Sequence, residues 1–287
     1  MEFDFVRILL AFFSGYFLTV SGSLAQLSTN NKLASSSTLG FDGVGVLCIL
    51  AAQSLISFFS VNLSIENLSL LIFGSIFVFI IIVIKFKKSS SDISKNMNKI
   101  ILIGLGFNLF IGGVFSIIQF LFIALNYEFP TGIWFGNFKQ FEIETLYLFG
   151  VLFLVSFVLV WRMSKKLSFL ALGPDFAKGL NIDVSKVLRG SLLVSFFLTG
   201  LVVSYFGVFS FIGLIFPHIL RSIGFFKYSM KNELIIGSVF AGVFLSTIDF
   251  LCYHFTFFGA EVPVGMVCSV VGSFTLLALL IQRQSIK

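Results

Sequence analysis

Nine long apolar runs constrain what this chain can fold into more than any other feature of its sequence. An α-helix needs about 20 apolar residues to cross the hydrocarbon core of a bilayer, which is about 30 Å thick. Lipid-facing β-strands would instead alternate in polarity over about ten residues. The nine runs cover residues 5–27, 41–60, 68–86, 100–125, 145–161, 189–206, 208–224, 234–254 and 263–282. They predict an all-α polytopic membrane protein with about nine transmembrane helices, forming one transmembrane domain over residues 1–287.

The small number of charged residues supports the same class. Only 11% of the chain is charged and 57% is hydrophobic, whereas soluble domains carry about 25% charged residues. Such a chain cannot cover a globular surface with charge, so much of its apolar surface must face lipid. The seventh run contains Pro217, and a tilted or broken helix is expected there because proline removes a helix hydrogen bond.

The distribution of lysine and arginine predicts the orientation. Cytoplasmic loops of membrane proteins carry an excess of these residues. If the C-terminus is cytoplasmic, 17 of the 19 fall on the cytoplasmic side of the nine spans, and only Arg7 and Lys139 fall outside. The net charge of +6 is then a consequence of topology. Nucleic-acid binding, which needs a basic face on a folded domain, is not expected.

A cytoplasmic segment, residues 162–189, is too long and too patterned for a simple turn. Gly173-Pro174-Asp175 indicates a helix start within it, because proline suits the first turn and an acidic side chain suits the positive end of a helix.

Apolar residues recur at every fourth position from the start of this short helix. They are Leu172, Phe176 and Leu180, with Ala177 and Val184 close to the same stripe. An apolar stripe on a short cytoplasmic helix has two interpretations. The helix either lies on the lipid surface or docks into a groove of a cytosolic partner.

Four stretches of the chain together resemble one known family. They are SGSLAQLSTNNKLASSSTLG (21–40), LGPDFAKGLNIDV (172–184), FSFIGLIFPHILRSIG (209–224) and AEVPVGMVCSVVGSFTLLALL (260–280). In this order they are similar to conserved stretches of the permease subunits of ABC importers for iron chelates and cobalamin, the FecCD-type family. The resemblance spans almost the whole chain.

This resemblance implies a function and a set of partners. The chain would be the transmembrane permease subunit of an ATP-driven importer that moves an iron-siderophore-type chelate to the cytoplasm of a bacterium, through the inner membrane. Haem, cobalamin or a metal ion would be alternative substrates. The implied partners are a cytosolic ABC ATPase, a substrate-binding protein outside and a second permease copy. The chain has no G-x-x-x-x-G-K-S/T sequence, so ATP and Mg²⁺ are expected on the ATPase. We expect no cofactor and no catalytic residue here.

The resemblance also implies roles for particular residues. Coupling to the ATPase is expected from Leu172, Gly173, Pro174, Asp175, Phe176, Ala177 and Leu180; a scaffold at the cytoplasmic gate from Pro217, His218 and Arg221; and docking of the binding protein from Arg7 and Glu261. His218 is expected to be a hydrogen-bonded structural residue, because no Cys, Asp or Glu adjoins it to complete a metal site. No metal site is expected.

Three other functional classes remain open at this stage. A membrane enzyme has the least support, because no paired acids and no nucleophile–base arrangement occur at helical spacing within a span. An ion-coupled secondary transporter would carry ionisable residues at mid-membrane, whereas Asp42 and Asp249 lie near span ends. A metal-ion permease is the third class, and its ligands would be His254, Asp249, Cys252 and Glu261, all near the outer face.

The chain departs from the family pattern at several positions. Lys32 and Ser36 replace two prolines, so the loop that contains them is expected to bend differently. Asn181 stands where glycine is common, and asparagine also tolerates left-handed geometry. The family normally has ten spans, and this chain matches it from the second onward.

Overall fold

The structure is a computed structural model, which describes most of the chain in eight ranges. These are residues 5–36, 38–39, 42–43, 97–125, 135–138, 143–222, 230–257 and 260–284. The predicted spans 41–60 and 68–86 lie almost wholly outside the described residues.

The described residues form eight helices and one short ribbon. They are α1 (Phe5–Thr29), α2 (Met97–Ala124), α3 (Ile143–Ala171), α4 (Pro174–Gly179), α5 (Val184–Phe206), α6 (Ile212–Ser222), α7 (Met230–His254), α8 (Val264–Gln284), and strands β1 (Thr256–Phe257) and β2 (Ala260–Glu261), which pair antiparallel between α7 and α8. Residues 233–237 of α7 form one turn of π-helix. The predicted all-helical membrane class is confirmed.

Four helices combine the length and the apolar composition needed to cross a bilayer. They are α1, α3, α5 and α7. The helix α3 has 29 residues, which at 1.5 Å per residue is about 43 Å and exceeds the bilayer core of about 30 Å. It is therefore longer than a single perpendicular crossing requires. The sequence analysis assigned residues 162–171 to a loop, and that assignment is wrong because the helix continues through the polar residues.

The seventh predicted span is also shorter than expected. Instead of a helix over 208–224, the chain runs irregularly from Gly207 to Phe211, both of which have positive φ, and then forms the 11-residue helix α6 with Pro217 inside it. An irregular backbone within a membrane needs hydrogen-bond partners from the protein. Residues 136–137 supply them: the Gly136 amide donates to the Val208 carbonyl and the Asn137 amide to the Phe206 carbonyl, both at 3.0 Å.

Helix α1 lies at the centre of the described bundle. Most of its residues are buried, and it packs against α7, α5, α6 and α3. Glycines allow two of these contacts, because small residues let helix backbones approach closely. A Cβ atom at Gly15 would lie 2.6 Å from the Ala241 carbonyl oxygen of α7, and one at Gly22 would overlap the backbone of Gly213 in α6.

The close contact at Gly22 generates a prediction about stability. Changing Gly22→Ala should push α1 and α6 apart and destabilise the fold by at least about 1–3 kcal/mol, the usual cost of overpacking. Gly150→Ala is the matched control, because a Cβ there meets nothing within 4 Å and alanine favours the helix by about 1 kcal/mol. The measurement is thermal unfolding of both variants in detergent. Equal midpoints would contradict the close packing.

Candidate functional site

Helix α4 begins where the sequence predicted. Pro174 is its first residue, and Asp175 lies in its first turn. Gly173 precedes it with φ of 133°, a conformation that side chains with a Cβ rarely adopt. This glycine lets the chain turn sharply between the long helix α3 and the short helix α4.

Exposed apolar side chains lie on and beside α4. Leu172, Phe176 and Leu180 are 71%, 51% and 48% exposed, and Phe169 at the end of α3 contacts Phe176 with ring centroids 6.4 Å apart. We call Phe169, Leu172, Phe176 and Leu180 the apolar knob. Ala177, placed close to this stripe by the sequence analysis, is instead fully buried where α4 packs against α3 and α5. It anchors the helix because a small side chain fits that contact.

The chain returns to the membrane through a short capped turn. Asn181 has φ of 60°, which confirms its left-handed geometry. The Lys186 backbone amide donates to Oδ1 of Asp183 at 3.0 Å, so Asp183 caps α5. This hydrogen bond, with the nearby Lys186 ammonium, holds the pKa of the Asp183 carboxyl below its usual value. The sequence signal for the cap was an aspartate directly before an apolar helix.

Arg221 is bound inside the protein. It lies in the last turn of α6, as predicted, and its Nε and Nη2 donate to the two carboxylate oxygens of Glu233 at 2.7 Å. Its Nη1 donates to Oε1 of Gln26 at 2.7 Å, and the Ser23 hydroxyl donates to Glu233 at 2.7 Å. We call Ser23, Gln26, Arg221 and Glu233 the inner cluster.

The inner cluster joins three helices, α1, α6 and α7. Glu233 is only 1% exposed, and a buried carboxylate is tolerated when its charge and lone pairs are satisfied. Gln26 extends the network, because its Nε2 donates to the Leu214 carbonyl at 2.9 Å, close to the buried Pro217 of α6. The sequence analysis missed Glu233. The available signal was a carboxylate near an apolar run, since such groups usually pair.

The other two predicted gate residues lie on the same helix as Arg221. Pro217 is buried inside α6, and His218 is half-buried beside it. The structure therefore places Pro217, His218 and Arg221 together on α6, and Arg221 reaches Gln26 near the C-terminal end of α1.

A second group of charges lies at the opposite ends of α1 and α7. The Arg7 guanidinium contacts both oxygens of Asp249, with Nη2 2.7 Å from Oδ1 and Nε 2.8 Å from Oδ2, and Nη1 lies 3.3 Å from Oε2 of Glu261. The Tyr253 ring centroid is 5.1 Å from Cζ of Arg7. We call Arg7, Asp249 and Glu261 the outer cluster.

The two predicted docking residues are thus brought together in the outer cluster. Asp249, which the sequence placed near a span end, is fully buried against Arg7, while the Arg7 and Glu261 side chains are 11% and 22% exposed. Among the described residues, no group of three or more His, Cys, Asp and Glu side chains is placed to hold a metal ion. Cys252 and Cys268 are buried and free.

A buried hydroxyl network explains one departure from the family pattern. The Ser21 hydroxyl lies 2.5 Å from the Ser36 hydroxyl and 2.6 Å from that of Thr199, and the Ser195 hydroxyl donates to the Ser21 carbonyl at 2.8 Å. Ser36, which replaces a proline, therefore ties the loop after α1 to both α1 and α5.

Fold and site together define a multi-pass helical membrane protein with an exposed apolar knob at the short helix α4. The FecCD transport family profile matches residues 1–282, and the chain belongs to that family. Its members are permease subunits, which transport and do not catalyse.

Individual relatives cover most of the chain at low identity. The petrobactin import permease YclO of Bacillus subtilis is 27% identical over 231 residues, covering 80% of this chain and 72% of the relative. The iron(3+)-hydroxamate permease FhuG of the same organism is 27% identical over 95% of this chain and 80% of its own. The hemin permease HmuU of Yersinia pestis is 28% identical over 97% of this chain and 81% of its own.

Solved structures share the fold. A metal-chelate-type ABC transporter in an inward-facing conformation matches with a TM-score of 0.75 at 22% identity, over 96% of this chain and 85% of its own. PsaBC from Streptococcus pneumoniae in complex with Fab matches with a TM-score of 0.57 at 16% identity, over 96% of this chain and 91% of its own.

The outer cluster predicts that the stability of the fold depends strongly on the ion pair between Arg7 and Asp249. Arg7→Leu should destabilise the fold by about 3–5 kcal/mol, because it leaves the Asp249 carboxylate buried without its cation. The double change Arg7→Leu with Asp249→Leu should recover most of this loss, since it removes both charges. Thermal unfolding in detergent measures both. Asp249→Leu alone completes the comparison. If the stability lost in the double variant equalled the sum of the losses in the two single variants, the ion pair would be contradicted.

The Asp183 cap predicts an acid-dependent loss of stability. Because the folded pKa is lowered, the contribution of the carboxylate is complete above its unfolded pKa of about 3.9 and disappears as pH falls through the lower folded pKa. Asp183→Asn should keep a cap and lose this pH dependence, which unfolding midpoints between about pH 2 and 6 would show. An unchanged acid profile in the asparagine variant would contradict the assignment.

Proposed function

We propose that this chain is the permease subunit of an ABC importer that carries an iron-siderophore-type chelate inward across the bacterial inner membrane. The observation that carries the proposal is the apolar knob on α4, presented by a chain that matches the FecCD family over residues 1–282. Two of the relatives are named for petrobactin and iron(3+)-hydroxamate, which supports an iron chelate as substrate.

The knob is proposed to bind the cytosolic ATPase. Leu172 before α4, Phe176 within it and Leu180 after it are exposed, which is costly in water, and apolar anchors of this kind dock into grooves of partner proteins. Gly173, Pro174 and Asp175 set the start of α4, and Ala177 holds it against α3 and α5. Movement of the ATPase pair would therefore be transmitted to two membrane helices as a rigid-body change.

The inner cluster offers a route from these helices to the rest of the bundle. Helix α3 packs against the first residues of α7, and Glu233 there binds Arg221 of α6 and Ser23 of α1. In this proposal Pro217, His218 and Arg221 form the scaffold of the cytoplasmic gate, and the C-terminus of the chain is cytoplasmic.

The remaining partners follow from the same importer architecture. A second permease copy would complete the pore along the dimer axis, and ATP and Mg²⁺ would bind the ATPase and not this chain. A substrate-binding protein would dock outside, near Arg7 and Glu261. Glu261 is the more exposed of the two, so an incoming acidic side chain would compete with it for Arg7.

Haem and cobalamin are the second candidate substrates, with the same mechanism. Their support is that the hemin permease above and the vitamin B12 permease BtuC of Photorhabdus laumondii, 27% identical over 98% of this chain, are similar to it.

Uptake in a strain that lacks this gene tests the substrate. Labelled iron supplied as the organism's own ferric siderophore should no longer enter, while labelled haem and cobalamin should enter normally. Loss of haem or cobalamin uptake instead would replace the substrate and keep the transport mechanism. Normal uptake of all three would contradict the proposal.

Phe176→Asp tests the coupling role in the same assay. Burying a charge in the ATPase groove should weaken the complex by at least about 2 kcal/mol, the size of an interface hot spot, or roughly 30-fold. Uptake and co-purification of the ATPase should both fall. Lys178→Gln is the matched control, because Lys178 lies on α4, outside the apolar knob, and pairs with the exposed Asp175. Equal uptake by the two variants would contradict docking at the knob.

A further inference from the structure

One exposed face of α3 is apolar over half the thickness of a membrane. Its members are Val151 (59% exposed), Leu154 (63%), Val155 (48%), Val158 (44%) and Trp161 (55%). Their spacing of three and four residues places them on one side of the helix. From the first to the last is about 15 Å along the axis, half of the bilayer core of about 30 Å. We call these five residues the α3 stripe.

Cations gather where the α3 stripe ends. Arg162, Lys165 and Lys166 follow Trp161 within two turns and are exposed. Lys231 joins them from the start of α7, with its Nζ 5.9 Å from the centre of the Trp161 ring. We call Arg162, Lys165, Lys166 and Lys231 the basic cap.

The basic cap differs from other cations on the same side of the protein. Lys178 lies 3.1 Å from the Asp175 carboxylate and Lys186 lies 3.3 Å from that of Asp183. Within the part of the chain that the structure describes, no carboxylate lies within ion-pair distance of the four cap residues. They therefore form a local excess of positive charge at the edge of an apolar surface.

We propose that the α3 stripe and the basic cap bind one anionic phospholipid of the cytoplasmic leaflet. Its phosphate would lie among the cap cations, and an acyl chain would follow the stripe toward mid-membrane. Charge complementarity identifies the occupant, because cations beside the membrane attract anionic headgroups. The geometry agrees, since long Lys and Arg side chains reach outward from the membrane edge and tryptophan prefers that boundary.

The Trp161 indole gives a direct measurement of this lipid. The chain has two tryptophans, so Trp134→Phe leaves Trp161 as the single fluorophore. The full chain is placed in phosphatidylcholine bilayers that contain either phosphatidylglycerol or phosphatidylcholine with brominated acyl chains, which quench tryptophan on contact. Quenching of Trp161 should occur at a lower mole fraction of brominated phosphatidylglycerol than of brominated phosphatidylcholine.

Two pairs of substitutions separate a specific site from general attraction. Arg162→Gln with Lys231→Gln should remove the preference for phosphatidylglycerol. Each lost charge should weaken binding of this lipid about fivefold, and the two together about 30-fold. Lys178→Gln with Lys186→Gln is the matched control. It removes the same total charge from the same side of the protein and should leave the preference unchanged.

Three results would overturn the proposal. Equal quenching by the two brominated lipids would exclude a preference for anionic headgroups. An equal effect of both pairs of substitutions would show a general electrostatic attraction and no site. Abolition of the preference by soluble glycerol phosphate would show that the cap binds phosphate without using the α3 stripe. The measurement requires neither ATPase nor transport, so it is independent of the proposed function.

Discussion

The pairing of α1 with α7 is the interaction on which the rest of the described structure depends. The two helices run antiparallel and are joined at three levels: Arg7 with Asp249 at one end, Gly15 against Gly242 in the middle, and Ser23 with Glu233 at the other end. Charges and polar groups within a membrane need partners from the protein. Each end of α1 therefore fixes a carboxylate of α7, and the glycine contact brings the two backbones close enough for both.

This paired unit determines how the other elements are placed. Arg221 adds α6 through Glu233 and Gln26, and the hydroxyl network of Ser21 adds α5. Helix α4 packs against α3 and α5. In the proposed importer, such a paired centre with a small peripheral helix would suit a subunit driven by its ATPase, because displacement of α4 would move whole helices without deforming the core.

Much of the fold could be predicted from the sequence, and the failures have a common cause. Apolar run length found the membrane helices, and Gly173-Pro174-Asp175 located the start of α4. Hydropathy placed the end of α3 too early, since its polar end at 162–171 stays helical. It also predicted one helix over 208–224, whereas the backbone is irregular from Gly207 to Phe211 and is stabilised there by residues 136–137. Both outcomes depend on contacts with distant residues, which a local pattern does not contain.

For the candidate site, the sequence by itself determined the membrane class and an apolar stripe along a short helix, because both depend on residues that are close in the chain. Only the tertiary structure decided that Ala177 faces inward, that Glu233 holds Arg221, and that Asp249 and Glu261 share Arg7. Arg7 and Glu261 are 254 residues apart in the chain. Such partners are chosen by helix packing, since a buried charge must bind whichever opposite charge the fold brings within reach.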